Sequence, residues 1–110
     1  MDIKKANKPI DLLLIEDNSG DMMLTKRMLE KAQYTSFHIS YANSLSAGID
    51  CAVRNKIDVI LSDLNLPDSR DVDTFYKLKL QVPEIPIVVL SGFADEEASL
   101  KSVREGHRIT

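Results

Sequence analysis

Several features are scarce or absent in this sequence, and each absence excludes a class of protein. Cys51 is the only cysteine, so no internal disulfide can form, which fits a reducing compartment. No apolar run approaches the length of a membrane span. Residues 1–8 form a polar leader without the apolar stretch of a secretory signal. We therefore expect a cytoplasmic protein with no membrane partner.

The sequence also lacks a strong charge of one sign. Its 14 Lys and Arg residues and 17 Asp and Glu residues give a formal net charge of -3, and no block of basic residues stands out. Such a chain has no general attraction to nucleic acid, so we expect no nucleic-acid partner. With 110 residues and no internal repeat, the chain is expected to form one domain over 1–110.

Strand-like and helix-like segments alternate along the chain. Apolar runs predict strands at 12–15, 37–41, 57–61 and 87–90, of which the second alternates with polar residues as edge strands do. Amphipathic spacing and capping residues predict helices over about 20–33, 45–53, 72–81 and 95–106. The inward face of the first helix is assigned to five residues: Met22, Leu24, Met28, Leu29 and Ala32. The order βαβαβαβα predicts an α/β fold with a doubly wound parallel sheet and right-handed crossovers.

Polar side chains follow three of the predicted strands. Glu16 and Asp17 come directly after the first strand, Asp63 follows the third, and Ser91 follows the fourth. Ligands of open parallel sheets bind beyond the carboxyl ends of the strands, so we expect these residues to share one crevice. Carboxylate oxygens without His or Cys nearby favour Mg²⁺ over zinc. A carboxylate in such a site can attack phosphorus as a nucleophile, and a serine hydroxyl can hydrogen-bond a phosphoryl oxygen.

Each of these residues also has a purely structural interpretation. Glu16 and Asp17 could cap the first helix, and Asp63 could cap a turn before Pro67. Their joint position at equivalent ends of parallel strands favours the functional interpretation. The loop 68–71 and the two histidines, His38 and His107, are interpreted as solvated surface.

Three motifs resemble the response-regulator receiver domain of two-component signalling. They are Leu-Leu-Ile-Glu-Asp-Asn at 13–18, Leu-Ser-Asp-Leu-Asn-Leu-Pro-Asp at 61–68 and Val-Val-Leu-Ser-Gly at 88–92. They occur in the order and spacing of that family, and the resemblance covers about residues 10–106. It implies a flavodoxin-like receiver fold with strand order 2-1-3-4.

The resemblance also implies a role for each site residue. Asp63 would accept phosphate from a sensor histidine kinase or a phosphotransfer protein. Mg²⁺ would be held by Glu16, Asp17, Asp63 and the backbone carbonyl of Asn65. Ser91 matches the family's Ser/Thr that turns toward the phosphate.

The sequence departs from the family pattern in two places. After Gly106 the family continues with a fifth strand, an invariant lysine and a fifth helix, whereas here an atypical tail of residues 107–110 follows. We therefore expect a fold lacking the fifth strand and helix, and homo-oligomers formed through the exposed fourth-strand edge. A natural short form, a frameshift and a shortened expression clone all stay open as causes. Asp71 stands where the family commonly has Gly in a tight turn, at a modest expected cost.

The expected function is that of a phosphoacceptor module in a phosphorelay. The protein would be no enzyme beyond its own phosphotransfer and dephosphorylation at Asp63. The alternative is a degenerate receiver that is not phosphorylated and acts as a protein-interaction module, which the missing lysine favours. A phosphatase with an aspartyl nucleophile fits poorly, because the general acid it needs two residues later is replaced by Asn65.

Overall fold

The computed structural model describes residues 8–33 and 35–90. In this part of the chain, strands and helices alternate as β1 (Ile10–Ile15), α1 (Ser19–Glu30), β2 (Phe37–Ala42), α2 (Leu45–Arg54), β3 (Val59–Asp63), α3 (Val72–Gln81) and β4 (Ile87–Leu90). The four strands form one parallel sheet in the order β2-β1-β3-β4. The predicted doubly wound α/β fold with this flavodoxin-like strand order is confirmed. The predictions for Ser91, the helix at 95–106 and the tail lie outside the described residues.

The element boundaries agree with the sequence pattern to within one residue, except at the end of α1, the start of β1 and both ends of β3. α3 and β4 begin and end where they were predicted, and Ser44 is the N-cap of α2, accepting a hydrogen bond from the Ala47 backbone N–H. α1 ends at Glu30 rather than near residue 33, because its last turn tightens into hydrogen bonds that span three residues. β3 spans Val59–Asp63 rather than residues 57–61, and β1 begins at Ile10 rather than at residue 12.

The main core lies between the sheet and the pair α2 and α3. Because β2 and β3 flank β1 on opposite sides, right-handed crossovers put α1 on one face of the sheet and α2 with α3 on the other. The second face buries apolar side chains from both layers: Leu13, Ile15, Ile60, Leu45, Ala52 and Leu78. α2 lies so close to β1 that a Cβ atom on Gly48 would collide with the side chain of Ile15. This contact fixes the carboxyl end of β1, from which the site begins.

The predicted inward face of α1 is partly wrong. Leu24 is 58% exposed and Met28 is 72% exposed, whereas Met22 and Leu29 are half-buried. The helix packs mainly against the edge strand β2, so a narrow stripe turns inward and the flank carrying Leu24 and Met28 faces outward.

Within residues 8–33 and 35–90, no helix is long and apolar enough to span a membrane.

Candidate metal centre

The carboxyl ends of β1 and β3 bring the predicted acidic residues to one edge of the sheet. Ile15 pairs with Ser62 in the parallel register, so the next residues, Glu16 and Asp63, lie side by side at the carboxyl ends of the two strands. The backbone N–H of Glu16 still donates to the Ala42 carbonyl at 2.9 Å and continues the pairing of β1 with β2. The main chain at Glu16 is therefore held by the sheet.

Three carboxylates converge at this edge. Glu16, Asp17 and Asp63 each offer one oxygen, and these oxygens all lie within 4.8 Å of one another. The Glu16 side chain is buried, Asp17 is exposed and Asp63 is half-buried, so the cluster is open to solvent on one side. Ser91 lies outside the described residues, although Leu90, the residue before it, is the register partner of Asp63.

Burial and a second carboxylate make ionisation of Glu16 unfavourable. The pKa of Glu16 is raised to about 7, and burial is the largest cause. The negative charge of Asp63 and a hydrogen bond shared with its side chain contribute to the rise, against an opposing hydrogen bond of 3.1 Å from the Asn18 N–H to Oε2. Near neutral pH the metal-free cluster is therefore partly protonated at Glu16, and a cation would displace that proton.

In the loop after β3, Asn65 forms a hydrogen bond with the Asp63 carboxylate and another with the far end of the loop. The Asn65 backbone N–H donates to Asp63 Oδ1 at 3.0 Å, and the Asn65 side-chain oxygen accepts from the Asp71 N–H at 3.3 Å. Asn65 is half-buried directly beyond the carboxylate cluster. The residue whose carbonyl was expected to complete the metal site is thus held by hydrogen bonds to both ends of its loop.

Two residues with a role around this site were missed by the sequence reasoning. Asp68 was assigned to a solvated loop, but its carboxylate accepts from the backbone N–H groups of Leu45 and Ser46 at 2.8 and 2.9 Å and so caps α2. These hydrogen bonds, that from Ser46 first, lower the pKa of Asp68. Thr74 is fully buried and bonds the loop beside Asp63. Its signal in the sequence was a hydroxyl one turn before Leu78 on the inward face of α3.

The donor set fits a hard divalent cation. Carboxylate oxygens are the ligands that Mg²⁺ prefers, and Mg²⁺ usually keeps several waters and binds through one or two carboxylates together with phosphate oxygens. A cation here would also relieve the unfavourable burial of negative charge at Glu16.

Comparison with known proteins identifies the family. The model of the response regulator receiver domain matches residues 12–108 of this chain, in which the acidic cluster, the strand order and the β3–α3 loop all lie. The chain belongs to the response regulator receiver domain family. Receiver domains are signalling modules of two-component response regulators.

Individual relatives agree with this assignment. The cell cycle response regulator CtrA of Brucella ovis is 34% identical over 95 residues, which cover 86% of this chain and 40% of the relative. This chain therefore spans about 40% of the length of the curated relatives it matches.

Solved structures are similar in fold. A CheY-like receiver domain from Methanospirillum hungatei has a TM-score of 0.68 at 20% identity, covering 93% of this chain and 79% of that one. A receiver domain from Clostridium thermocellum has a TM-score of 0.65 at 24% identity, with coverages of 89% and 77%. The chemotaxis response regulator CheY4 of Vibrio cholerae has a TM-score of 0.67 at 19% identity, with coverages of 91% and 82%.

Proposed function

We propose that this receiver domain is a phosphoacceptor in a two-component phosphorelay. Asp63 takes a phosphoryl group from a sensor histidine kinase or a phosphotransfer protein, and the transfer requires Mg²⁺. The observation that carries the proposal is the convergence of three carboxylates within 4.8 Å at the ends of β1 and β3, with Glu16 buried among them. Membership of the receiver family supports the same role.

The proposed transfer exchanges one bond to phosphorus for another. A carboxylate oxygen of Asp63 attacks the phosphorus of a phosphohistidine, an O–P bond forms and the P–N bond breaks. The electron pair leaves with the imidazole nitrogen, which takes a proton from solvent. Phosphoryl transfer depends chiefly on positioning and charge neutralisation. The hydrogen bond from the Asn65 N–H to Asp63 Oδ1 supports the first requirement, because it orients the carboxylate.

Charge neutralisation is assigned to the acidic cluster and its cation. Glu16, Asp17 and Asp63, with the backbone carbonyl of Asn65, would hold Mg²⁺. The bound ion would supply positive charge for the carboxylates and for the oxygens of the transferring group. The raised pKa of Glu16 supports this assignment, because it reports an unfavourable negative charge in the metal-free cluster.

Ser91 is proposed to bind the phosphoryl group once it is on Asp63. The support is the sheet register: Leu90 lies beside Asp63, and Ser91 is the next residue along the chain. A hydroxyl there would donate to a phosphoryl oxygen.

Self-association through β4 and a cytoplasmic location stay predictions. Light scattering at micromolar concentration tests the self-association.

Labelling with a small phosphodonor tests the proposed function. The wild-type chain is incubated with acetyl phosphate, with Mg²⁺ or with excess EDTA, and intact mass is measured. We expect one added phosphoryl group with Mg²⁺ and little with EDTA, and hydroxylamine should remove the label because it cleaves acyl phosphates. Asp63→Asn should remain unlabelled.

Asp58→Asn is the matched control for this experiment. Asp58 precedes β3 as Asp63 ends it, so both substitutions remove one carboxylate from the same strand region. The control should label as the wild type does. A wild-type chain that takes no label in saturating Mg²⁺ would contradict the proposal and would favour the non-phosphorylated interaction module.

A further inference from the structure

We propose that Thr74 is a positioning residue for the Asp63 carboxylate. It acts through the peptide group that joins Leu64 to Asn65, whose N–H binds that carboxylate. The consequence for phosphotransfer rests on the proposed function, whereas the positioning itself does not.

The hydroxyl of Thr74 has a defined direction. Thr74 is fully buried, and its Oγ1 lies 2.6 Å from the Leu64 carbonyl oxygen and 2.9 Å from Oγ of Ser69, which is also buried. A hydroxyl carries a single hydrogen, and the carbonyl can only accept. Thr74 therefore donates to Leu64 and accepts from Ser69, so the hydrogen bonds run in one direction from Ser69 through Thr74 to the Leu64 carbonyl.

A planar peptide group connects that carbonyl to the site. The Leu64 C=O and the Asn65 N–H belong to one rigid unit, so a rotation that moves the carbonyl also moves the N–H. The N–H donates to Asp63 Oδ1 at 3.0 Å. Fixing the carbonyl with a short hydrogen bond therefore fixes the direction from which the carboxylate is held. A hydrogen bond to the carbonyl also polarises the peptide and strengthens the N–H as a donor.

Packing alone does not require a hydroxyl at position 74. An apolar side chain of the same shape would fill the space without needing a partner, since a buried hydroxyl is unfavourable unless it is hydrogen-bonded. The Thr74 hydroxyl bonds a carbonyl ten residues earlier in the chain, in the loop beside Asp63. The polar group thus ties α3 to the loop that carries the carboxylate.

Two substitutions separate the hydroxyl from the rest of the side chain. Thr74→Val keeps the shape and removes the hydrogen bond, whereas Thr74→Ser keeps the hydroxyl and removes a methyl group. In the metal-free protein we expect the Asn65 amide proton resonance to move upfield in Thr74→Val and to stay near its wild-type position in Thr74→Ser. At saturating Mg²⁺, the rate of acetyl-phosphate labelling should fall about tenfold in Thr74→Val and be largely restored in Thr74→Ser.

Further variants control for a loss of stability. Leu78→Val removes a methylene from a buried residue one turn later, so it should lower stability but leave the Asn65 resonance and the labelling rate unchanged. Ser69→Ala should move the Asn65 resonance in the same direction as Thr74→Val but by less. If Thr74→Val does not fold, Ser69→Ala still tests the hydrogen bonds that run from Ser69 through Thr74 to the Leu64 carbonyl.

Each outcome decides the proposal. An Asn65 resonance that is unchanged in Thr74→Val, or that moves equally in Thr74→Ser, overturns the positioning role. An equal loss of labelling in Thr74→Val and Leu78→Val overturns it as well. If the wild type is not labelled at all, the proposed function fails, and the Asn65 resonance alone still determines whether Thr74 holds the peptide.

Discussion

Carboxylates gather at both ends of β1 and β3, in different surroundings. At the amino end, Lys56 Nζ lies 3.0 Å from Asp58 and 3.3 Å from Asp11, and His38 Nδ1 lies 3.2 Å from Asp11. Asp58 also accepts from the Asp11 backbone N–H at 2.8 Å. That backbone hydrogen bond first, and then Lys56, lower the pKa of Asp58. Asp58 is therefore stabilised in its charged form by the protein itself.

At the carboxyl end the pKa shift has the opposite sign. Glu16 is buried next to Asp63, and its pKa rises to about 7. The charged form is therefore disfavoured in the metal-free fold, although both ends are built from the same two strands. The contrast supports the proposal that the carboxyl-end carboxylates hold a ligand that is not part of the chain, whereas Asp58 at the amino end contributes to the fold.

Backbone strain falls at the carboxyl end as well. Among the described residues, Asp71 is the non-glycine residue with a positive φ, at φ 55° and ψ -146°. This region of φ and ψ is one that glycine adopts readily and other residues rarely do. Asp71 belongs to the loop that returns from Asp63 to α3, and its N–H donates to the Asn65 side chain. Unfavourable charge and unfavourable backbone geometry thus occur together around the proposed site.

The largest expected effect is a difference in Mg²⁺ response between a variant at the carboxyl ends of β1 and β3 and a variant at their amino ends. Asp63→Asn removes a proposed ligand, so we expect Mg²⁺ affinity to fall about a hundredfold, which is about 2.7 kcal/mol. The measurement is the rise in Tm with increasing Mg²⁺, which reports ligand binding to the folded state. Asp58→Asn should lower Tm in EDTA but keep the wild-type response to Mg²⁺. Equal responses in the two variants would contradict the contrast between the ends.

Glu16→Gln is expected to have the next largest effect. The folded pKa lies above the ordinary value of 4.5, so between about pH 4.5 and 7 the folded state holds more protons than the unfolded state, and stability falls as pH rises through this window. In EDTA at high pH, the Gln variant should therefore be more stable than the wild type by about 2 kcal/mol. Near pH 4.5, the ordinary pKa of a glutamate, most of this difference in stability between the variant and the wild type should disappear.

Urea denaturation at several pH values measures this difference, and Asp58→Asn is its control. Because Asp58 has a lowered pKa, its carboxylate contributes stability above its unfolded pKa that is lost on acidification. The control should therefore be less stable than the wild type at high pH. A Glu16→Gln variant that is destabilised in EDTA at high pH would show that the buried carboxylate is well solvated or paired without a metal.

A smaller gain is expected from Asp71→Gly. Glycine adopts the observed backbone angles without steric strain, so the free energy of unfolding should rise by about 1 kcal/mol. Asp73→Gly is the matched control, because residue 73 lies two positions later inside α3. There glycine should lower stability by about 0.5–1 kcal/mol. Losses of similar size at both positions would indicate that the Asp71 conformation is not strained.

The convergence of the acidic residues followed from the sequence because strand order and register determine it. Once parallel strands were assigned around residues 12–15 and 57–61, Glu16 and Asp63 had to leave the same edge of the sheet. The apolar run at 87–90 likewise gave the position of β4. These features depend on local patterns and on topology, both of which the sequence carries directly.

Features that depend on one particular tertiary contact did not follow. Leu24 and Met28 fit a helical stripe, but the rotation of α1 is set by its packing on β2. Asp68 looks like a loop residue until α2 places its first N–H groups beside it. The inward position of the Thr74 hydroxyl can be inferred from helix spacing, but its partner, a carbonyl ten residues away, cannot. In each of the three cases the partner is distant in the sequence, and no local sequence pattern shows which residue it will be.

The smallest effect is expected at the amino end, from Lys56→Met. The Lys56 side chain is 72% exposed, and exposed ion pairs contribute little because water and salt screen them. Tm should fall slightly at low ionic strength, and the difference should vanish at about 1 M NaCl, where the screening length is about 3 Å. The Mg²⁺ response should equal that of the wild type, because the proposed cation site is built from the other ends of the strands. A Lys56→Met variant with altered Mg²⁺ affinity would mean that charge at one end of the sheet is felt at the other, and the two clusters would then have to be treated as one electrostatic system.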